Sequence, residues 1–187
     1  MDEQIWIEKI LAGDAQSFSC LVAKYQQMAF NIAFQITGNR EEAEEVVQDS
    51  FVKAYHALAS FRFGSKFSTW FYKIVYNTSI TAQRRQSSSV SYEDIHSVDI
   101  TAEETDNAIK LLEREERKEI IQKALKKLPT DEALILSLYY LEECSVEDIR
   151  QITDLTLSNV KVKLFRGRKR FYEILKLMVK HEIHNLL

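Results

Sequence analysis

The chain has 187 residues, 45% of them apolar, and a formal net charge of -3. Four Gly and one Pro supply few turn-formers, which disfavours a turn-rich all-β fold and suits long helices. No apolar run approaches the roughly 20 residues of a bilayer-spanning helix, the acidic start MDEQIWIEKI is unlike a secretory leader, and the isolated Cys20 and Cys144 read as buried thiols of a reducing cytoplasm.

In chain order, Asp2 begins a helix that Gly13 ends, and Asp14 caps the next. That second helix carries Phe18, Leu21, Val22, Tyr25, Met28, Ala29, Ile32 and Ile36 at three-to-four spacing, one apolar stripe closed by Gly38. Asn39 followed by Glu42 resembles a capping box. It opens a third helix that turns Ala43, Val47, Ala54 and Leu58 inward and the acids of EEAEEVVQD outward. SFRFGSKFS reads as a loop, after which Ser68 or Thr69 starts a fourth helix through Phe71, Ile74, Val75 and Thr78 to about Arg85.

From Gln86 to Ala108 the chain is rich in Ser, Thr and acids, lacks Lys and Arg, and has little periodicity, so it is expected to be a flexible acidic linker. The expected organisation is all-α: an N-terminal domain over residues 1–86, a linker over 87–108 and a C-terminal domain over 109–187, the two domains moving separately. The second domain opens with a helix directing Ile120, Ile121, Ala124, Leu125 and Leu128 inward, which Pro129 stops. Thr130 caps the next stretch, through Leu134, Leu138 and Leu141. Ser145 caps a short helix with Glu147 and Asp148 in its first turn, where the dipole favours acids, and with Val146, Ile149 and Ile152 inward. After a turn over 153–157, Ser158 is the expected cap of a long last helix with Val160, Leu164, Phe171, Leu175 and Met178 on one side.

Short helix, turn and long basic helix form a helix-turn-helix arrangement, whose second helix fits a DNA major groove. No Asp or Glu lies between Leu155 and Tyr172, while Lys161, Lys163, Arg166, Arg168, Lys169 and Arg170 crowd that stretch. Such cations neutralise a phosphate backbone. A second acid-free stretch, from Ser50 to Tyr92, mixes bases with Phe61, Phe63, Phe67, Trp70, Phe71, Tyr72 and Tyr76. Stacking faces beside positive charge suit single-stranded nucleic acid. Core packing accounts better for Phe51, Trp70 and Phe71, whereas the loop residues Arg62 to Ser68 are expected to be exposed. No catalytic constellation, phosphate-cradling Gly loop, cofactor signature or metal spacing stands out. His181 and His184 lack further ligands nearby.

Taken together, these motifs resemble those of group 4, or extracytoplasmic-function, bacterial RNA polymerase sigma factors. AEEVVQDSFVKAYHAL is similar to the family's polymerase-docking helix, and FSTWFYKIVYNT to its promoter-reading helix. LPTDEALILSLYYLEECSVEDIRQITDLTLSNVKVKLFRGRKRF resembles its helix-turn-helix block. The resemblance implies a cytoplasmic, non-enzymatic protein without cofactor or membrane insertion. Its partners would be core RNA polymerase and promoter DNA, with an anti-sigma factor as a further candidate. By position, Gln48, Asp49 and Phe51 would face the polymerase. Lys53, Phe61, Asn77 and the loop of Arg62, Gly64, Ser65, Lys66, Phe67 and Ser68 would engage the opened minus-ten strand. Ser158, Asn159, Lys161, Val162, Lys163, Phe165 and Arg166 would meet the minus-thirty-five duplex. The sequence departs from the family at Arg150 (usually small), Asp154 (usually Gly), Thr156 (usually Pro) and Ser158-Asn159 (usually Gly-Thr). Asp tolerates the left-handed conformation that such a turn needs better than most residues do. A stand-alone helix-turn-helix regulator is the alternative, and it would bind promoters tightly without polymerase.

Overall fold

A computed structural model describes residues 2–86 and 114–186, with side-chain surroundings for 3–85 and 119–178. The acidic linker lies outside the described residues. All regular structure among them is helical. The N-terminal part comprises α1 (Asp2–Leu11), α2 (Phe18–Thr37), α3 (Arg40–Ala57) and α4 (Phe67–Gln86). The C-terminal part comprises α5 (Arg114–Lys126), α6 (Thr130–Tyr140), α7 (Val146–Thr153) and α8 (Leu157–Leu186).

Local signals set most boundaries. Asp14 caps a short 3-10 turn rather than α2 itself, accepting from the Gln16 N–H at 3.2 Å. Gly38, left-handed at φ 69°, returns its N–H to the Phe34 carbonyl and ends α2. Asn39 Oδ1 accepts from the Glu42 N–H at 3.2 Å. Ser145 and Asp148 form a complete capping box at the start of α7. Two expected caps shift. Pro129, not Thr130, stands at the cap of α6. At α8 the Thr156 hydroxyl accepts from the Asn159 N–H at 3.2 Å, so Thr156 takes the place expected of Ser158.

In the N-terminal part, α2, α3 and α4 pack on one another around Leu21, Tyr25, Ile32, Val46, Leu58, Phe71 and Val75, all buried. Val46 takes the inward position expected of Val47, which is half-buried. In the C-terminal part, α8 packs on α6, closely at Gly167. A Cβ there would meet Leu136 at 3.2 Å and Glu132 at 3.3 Å. Ile121, expected inward, is exposed.

The two parts, expected to move separately, are in contact in this structure. α4 packs on α7 and α2 on α6, and buried side chains of both parts join one apolar core. Hydrogen bonds cross the seam from Gln35 Nε2 to Ser137 Oγ at 3.0 Å and from Thr69 Oγ1 to Asp148 Oδ1 at 2.9 Å.

Candidate nucleic-acid interface

α7 and α8 form the helix-turn-helix. Asp154 sits in the turn at φ 55°, ψ 19°, the left-handed conformation expected of the residue replacing Gly. Ile149, Ile152, Val160 and Leu164 pin the two helices to the core. The opposite face of α8 presents Ser158, Asn159, Lys161, Val162, Phe165 and Arg166 to solvent. Phe165 is 70% exposed, an unusual position for a large apolar ring unless a partner covers it. Among the described residues, neither Lys161 nor Arg166 forms an ion pair. Lys163 differs: it pairs with Asp131 of α6. That corrects its assignment to the free basic face, because its position on the helix turns it toward α6. Arg170 likewise reaches Glu132 at 3.4 Å, and Arg168 lies over the rings of Tyr139 and Tyr140.

The second surface lies between α3 and α4. Lys53, Ala57, Ile74, Asn77, Thr78 and Thr81 line an open cleft there. Lys53 Nζ donates to Thr78 Oγ1 at 3.2 Å, which holds the ammonium beside the exposed Asn77. Lys53 and Asn77, far apart in sequence, are thus brought together as expected. The loop before α4 divides. Arg62, Phe63, Gly64 and Lys66 are exposed, and Ser65 and Ser68 are half-buried. Phe63 adopts φ 54°, a conformation that strains a bulky residue. Phe61 and Phe67, expected on the nucleic-acid side, are buried instead. Their rings join Trp70 in an aromatic cluster, with centroids 5.2 Å and 5.5 Å from it. Their work is to brace the loop from beneath.

The third surface is the outer face of α3, where Gln48 and Asp49 are exposed. Phe51 is not part of it. Its ring stacks on Phe71 at 4.6 Å and meets Phe18 edge-on at 6.2 Å, so it faces the core. Val52 and Tyr55, 56% and 40% exposed, stand on that face instead. Sequence reasoning missed both; their spacing of four and seven residues from Gln48 was the available signal.

The described residues contain no group of His, Cys, Asp or Glu side chains fit to hold a metal. No helix among them is long and apolar enough to cross a membrane. Cys20 is half-buried rather than buried; Cys144 is buried, and burial pushes its thiol up to about 12.

The Sigma-70 region 2 family pattern matches residues 21–89, and that of Sigma-70, region 4 matches residues 118–171. The chain is 31% identical over 176 residues to the ECF RNA polymerase sigma-E factor of Escherichia coli (strain K12), covering 90% of this chain and 92% of the relative. It is 32% identical over 179 residues to the RNA polymerase sigma-H factor of Pseudomonas aeruginosa, covering 90% of each. Among solved structures, CnrH in complex with the cytosolic domain of CnrY matches with a TM-score of 0.65 at 21% identity, over 95% of this chain and 99% of that one. The sigma factor RpoE in complex with the anti-sigma factor NepR, from Bartonella quintana, matches with a TM-score of 0.63 at 24% identity, over 86% and 98%. These two likenesses concern the fold; the matched family patterns and the curated relatives show the family, and the chain belongs to the ECF RNA polymerase sigma factors.

Proposed function

We propose that this protein binds core RNA polymerase and directs it to a set of promoters, reading the minus-thirty-five duplex with α8 and the opened minus-ten strand with the α3–α4 cleft. One observation supports this most. Two nucleic-acid-type surfaces of different chemistry are carried on two different parts of the chain. The exposed face of α8 joins cations to Val162 and Phe165, suiting phosphates and thymine methyl groups of a duplex. The cleft joins the Lys53 ammonium to the Asn77 amide, suiting the phosphate and edge of an unpaired base. A stand-alone duplex reader has no use for the second surface.

The outer face of α3, with Gln48, Asp49, Val52 and Tyr55, is the proposed polymerase contact. Its acids would repel DNA, and its exposed apolar side chains suit a protein partner. An anti-sigma factor is a candidate further partner, by analogy with the complexed structural neighbours. Proposed boundaries are residues 1–86 and 109–187, with 87–108 as the linker. Regulation, not catalysis, is the proposed activity, and the cytoplasm its place. Run-off transcription with core polymerase on genomic fragments tests the reading. Discrete transcripts that need both proteins are expected; tight promoter binding by the chain alone, with no polymerase-dependent transcript, would overturn it.

A further inference from the structure

The loop between α3 and α4 holds three phenylalanines, and one of them behaves unlike the others. Phe61 and Phe67 are buried, whereas Phe63 is 49% exposed. Phe63 is also the residue at φ 54°. A glycine holds left-handed backbone freely, and a bulky residue is strained there. Gly64 follows at once, yet the left-handed position falls on Phe63 and not on the glycine. Strain kept at an exposed site points to a use outside the fold.

The ring stands on a built support. Its centroid lies 4.9 Å from that of Phe61, with the two planes 57° apart, and Phe61 lies 5.2 Å from Trp70 of α4. One side of the Phe63 ring therefore rests on the aromatic cluster, while the rest of it meets solvent. Exposed Arg62 and Lys66 lie close to it in the loop, and no acid occurs from Ser50 to Tyr92. A propped ring with cations beside it suits the face of an unpaired base and its phosphates. Phe63 does not line the α3–α4 cleft that holds Lys53 and Asn77. Trp70 precedes Ile74 and Asn77 by one and two turns on the same stripe of α4, so the rings extend the line of the cleft toward the loop.

We propose that Phe63 is a stacking residue for promoter opening: its ring takes the face of one unpaired base, outside the cleft and at a different nucleotide from the one Asn77 meets. The inference rests on the reading of the α3–α4 side as the surface for the opened strand. The two contacts divide the work. The Asn77 amide reads one base by its edge, and the Phe63 ring receives another by its face, whatever its identity. The left-handed backbone is what turns this ring outward between two that turn inward.

The test couples the side chain to single bases. Run-off transcription on genomic fragments first supplies a promoter. Holoenzyme made with the full chain is then titrated with a pre-opened bubble fragment of that promoter, intact or with one abasic site at each position of the opened strand in turn. For the natural chain, an abasic site at the stacked position should weaken binding about five- to hundredfold. Phe63→Gly, which relieves the backbone and removes the ring, should lose that penalty at this position alone. Phe63→Leu, which keeps apolar bulk without an aromatic face, should lose most of it, and Phe63→Tyr should restore it. Asn77→Ala should lose a penalty at another position. A merely structural role would weaken binding alike at every position and leave each abasic penalty as it was, and that result would overturn the proposal. So would coupling of Phe63 and Asn77 to the same base, or a weaker grip on core polymerase with every abasic penalty unchanged, which would make the ring a protein contact. Polymerase-dependent transcripts with no base coupled to Phe63 refute the stacking role alone. Absence of any such transcript with the natural chain refutes the promoter reading, and the stacking role with it.

Discussion

Replacing Asn77 by Ala separates a functional amide from a structural one. Asn77 is exposed on α4, and beyond the helix's own ladder the bond it makes in the described structure is through its backbone carbonyl, which accepts from Thr81 Oγ1 at 2.8 Å. Its side-chain amide therefore contributes no hydrogen bond to the fold. Ala is the better helix former, by up to about 0.7 kcal/mol. For a chain of this size that raises the melting temperature by about 1–3 °C. A well-placed amide on a base edge is worth about 1–3 kcal/mol, so transcription from a duplex promoter should fall about five- to hundredfold. Affinity for core polymerase should not change, since Asn77 lies in the α3–α4 cleft and not on the outer face of α3. On a template with a pre-opened minus-ten bubble the loss should shrink, because unstacking, a matter of a few kcal/mol, is already done. The assay is run-off transcription on both templates beside a thermal melt. A variant that melts lower and gains nothing from the bubble would refute the assignment.

Four further outcomes are expected. Lys161→Ala and Arg166→Ala should each lower the slope of log duplex affinity against log salt by about 0.9, while Lys163→Ala changes it less, being already paired with Asp131; anisotropy titrations across a salt series measure this. Thr156→Val should lose about 1 kcal/mol of stability with its cap, whereas Ser158→Ala loses little, as read by urea denaturation. Gly167→Val should lose about 1–3 kcal/mol by the same method, because its side chain would push into Leu136 and Glu132. At Asp148 burial opposes ionisation, but hydrogen bonds from Ser145 and Thr69 and the charge of Lys66 outweigh it and hold the carboxyl below its usual range. A depressed folded pKa stabilises above the unfolded value, about 3.9, and the contribution fades as pH falls through the folded one. Stability should therefore drop on acidification below about pH 4, and Asp148→Asn should flatten that drop.

Local signals carried the helices, and non-local packing decided what the sequence left open. Ser145 and Asp148 announce a capping box three residues apart, and the structure forms it in full. Gly38 and Asp154 each mark a left-handed stop through their own backbone preference. Aromatic direction was less legible. Phe61 and Phe67 flank a basic loop, yet both turn inward because Trp70 and Tyr25 offer rings to pack against. No spacing rule shows that, since the partners come from α2 and α4. The closed seam was equally hidden: its pairs join residues 70 to 81 positions apart on either side of the linker.

The basic run near the C-terminus shows how the same charges split by helix geometry. Lys163, Gly167 and Arg170 recur at three-to-four spacing and so share one stripe of α8. On that stripe Gly167 lets α6 approach, and the approach brings Asp131 and Glu132 within reach of the two cations. Burial works against ionisation of Glu132, and Arg170 works for it. These cations therefore tie α8 to the core and set the angle at which it projects. Lys161 and Arg166 lie off that stripe with Val162 and Phe165, and they keep their charge for an outside partner. Removing an inner cation should loosen the helix, and removing an outer one should weaken only what the helix grips. Net charge, which is acidic overall, hides this division. The acids meet the inner cations of α8 and the basic side of α4, and the outer cations of α8 are among those they leave exposed.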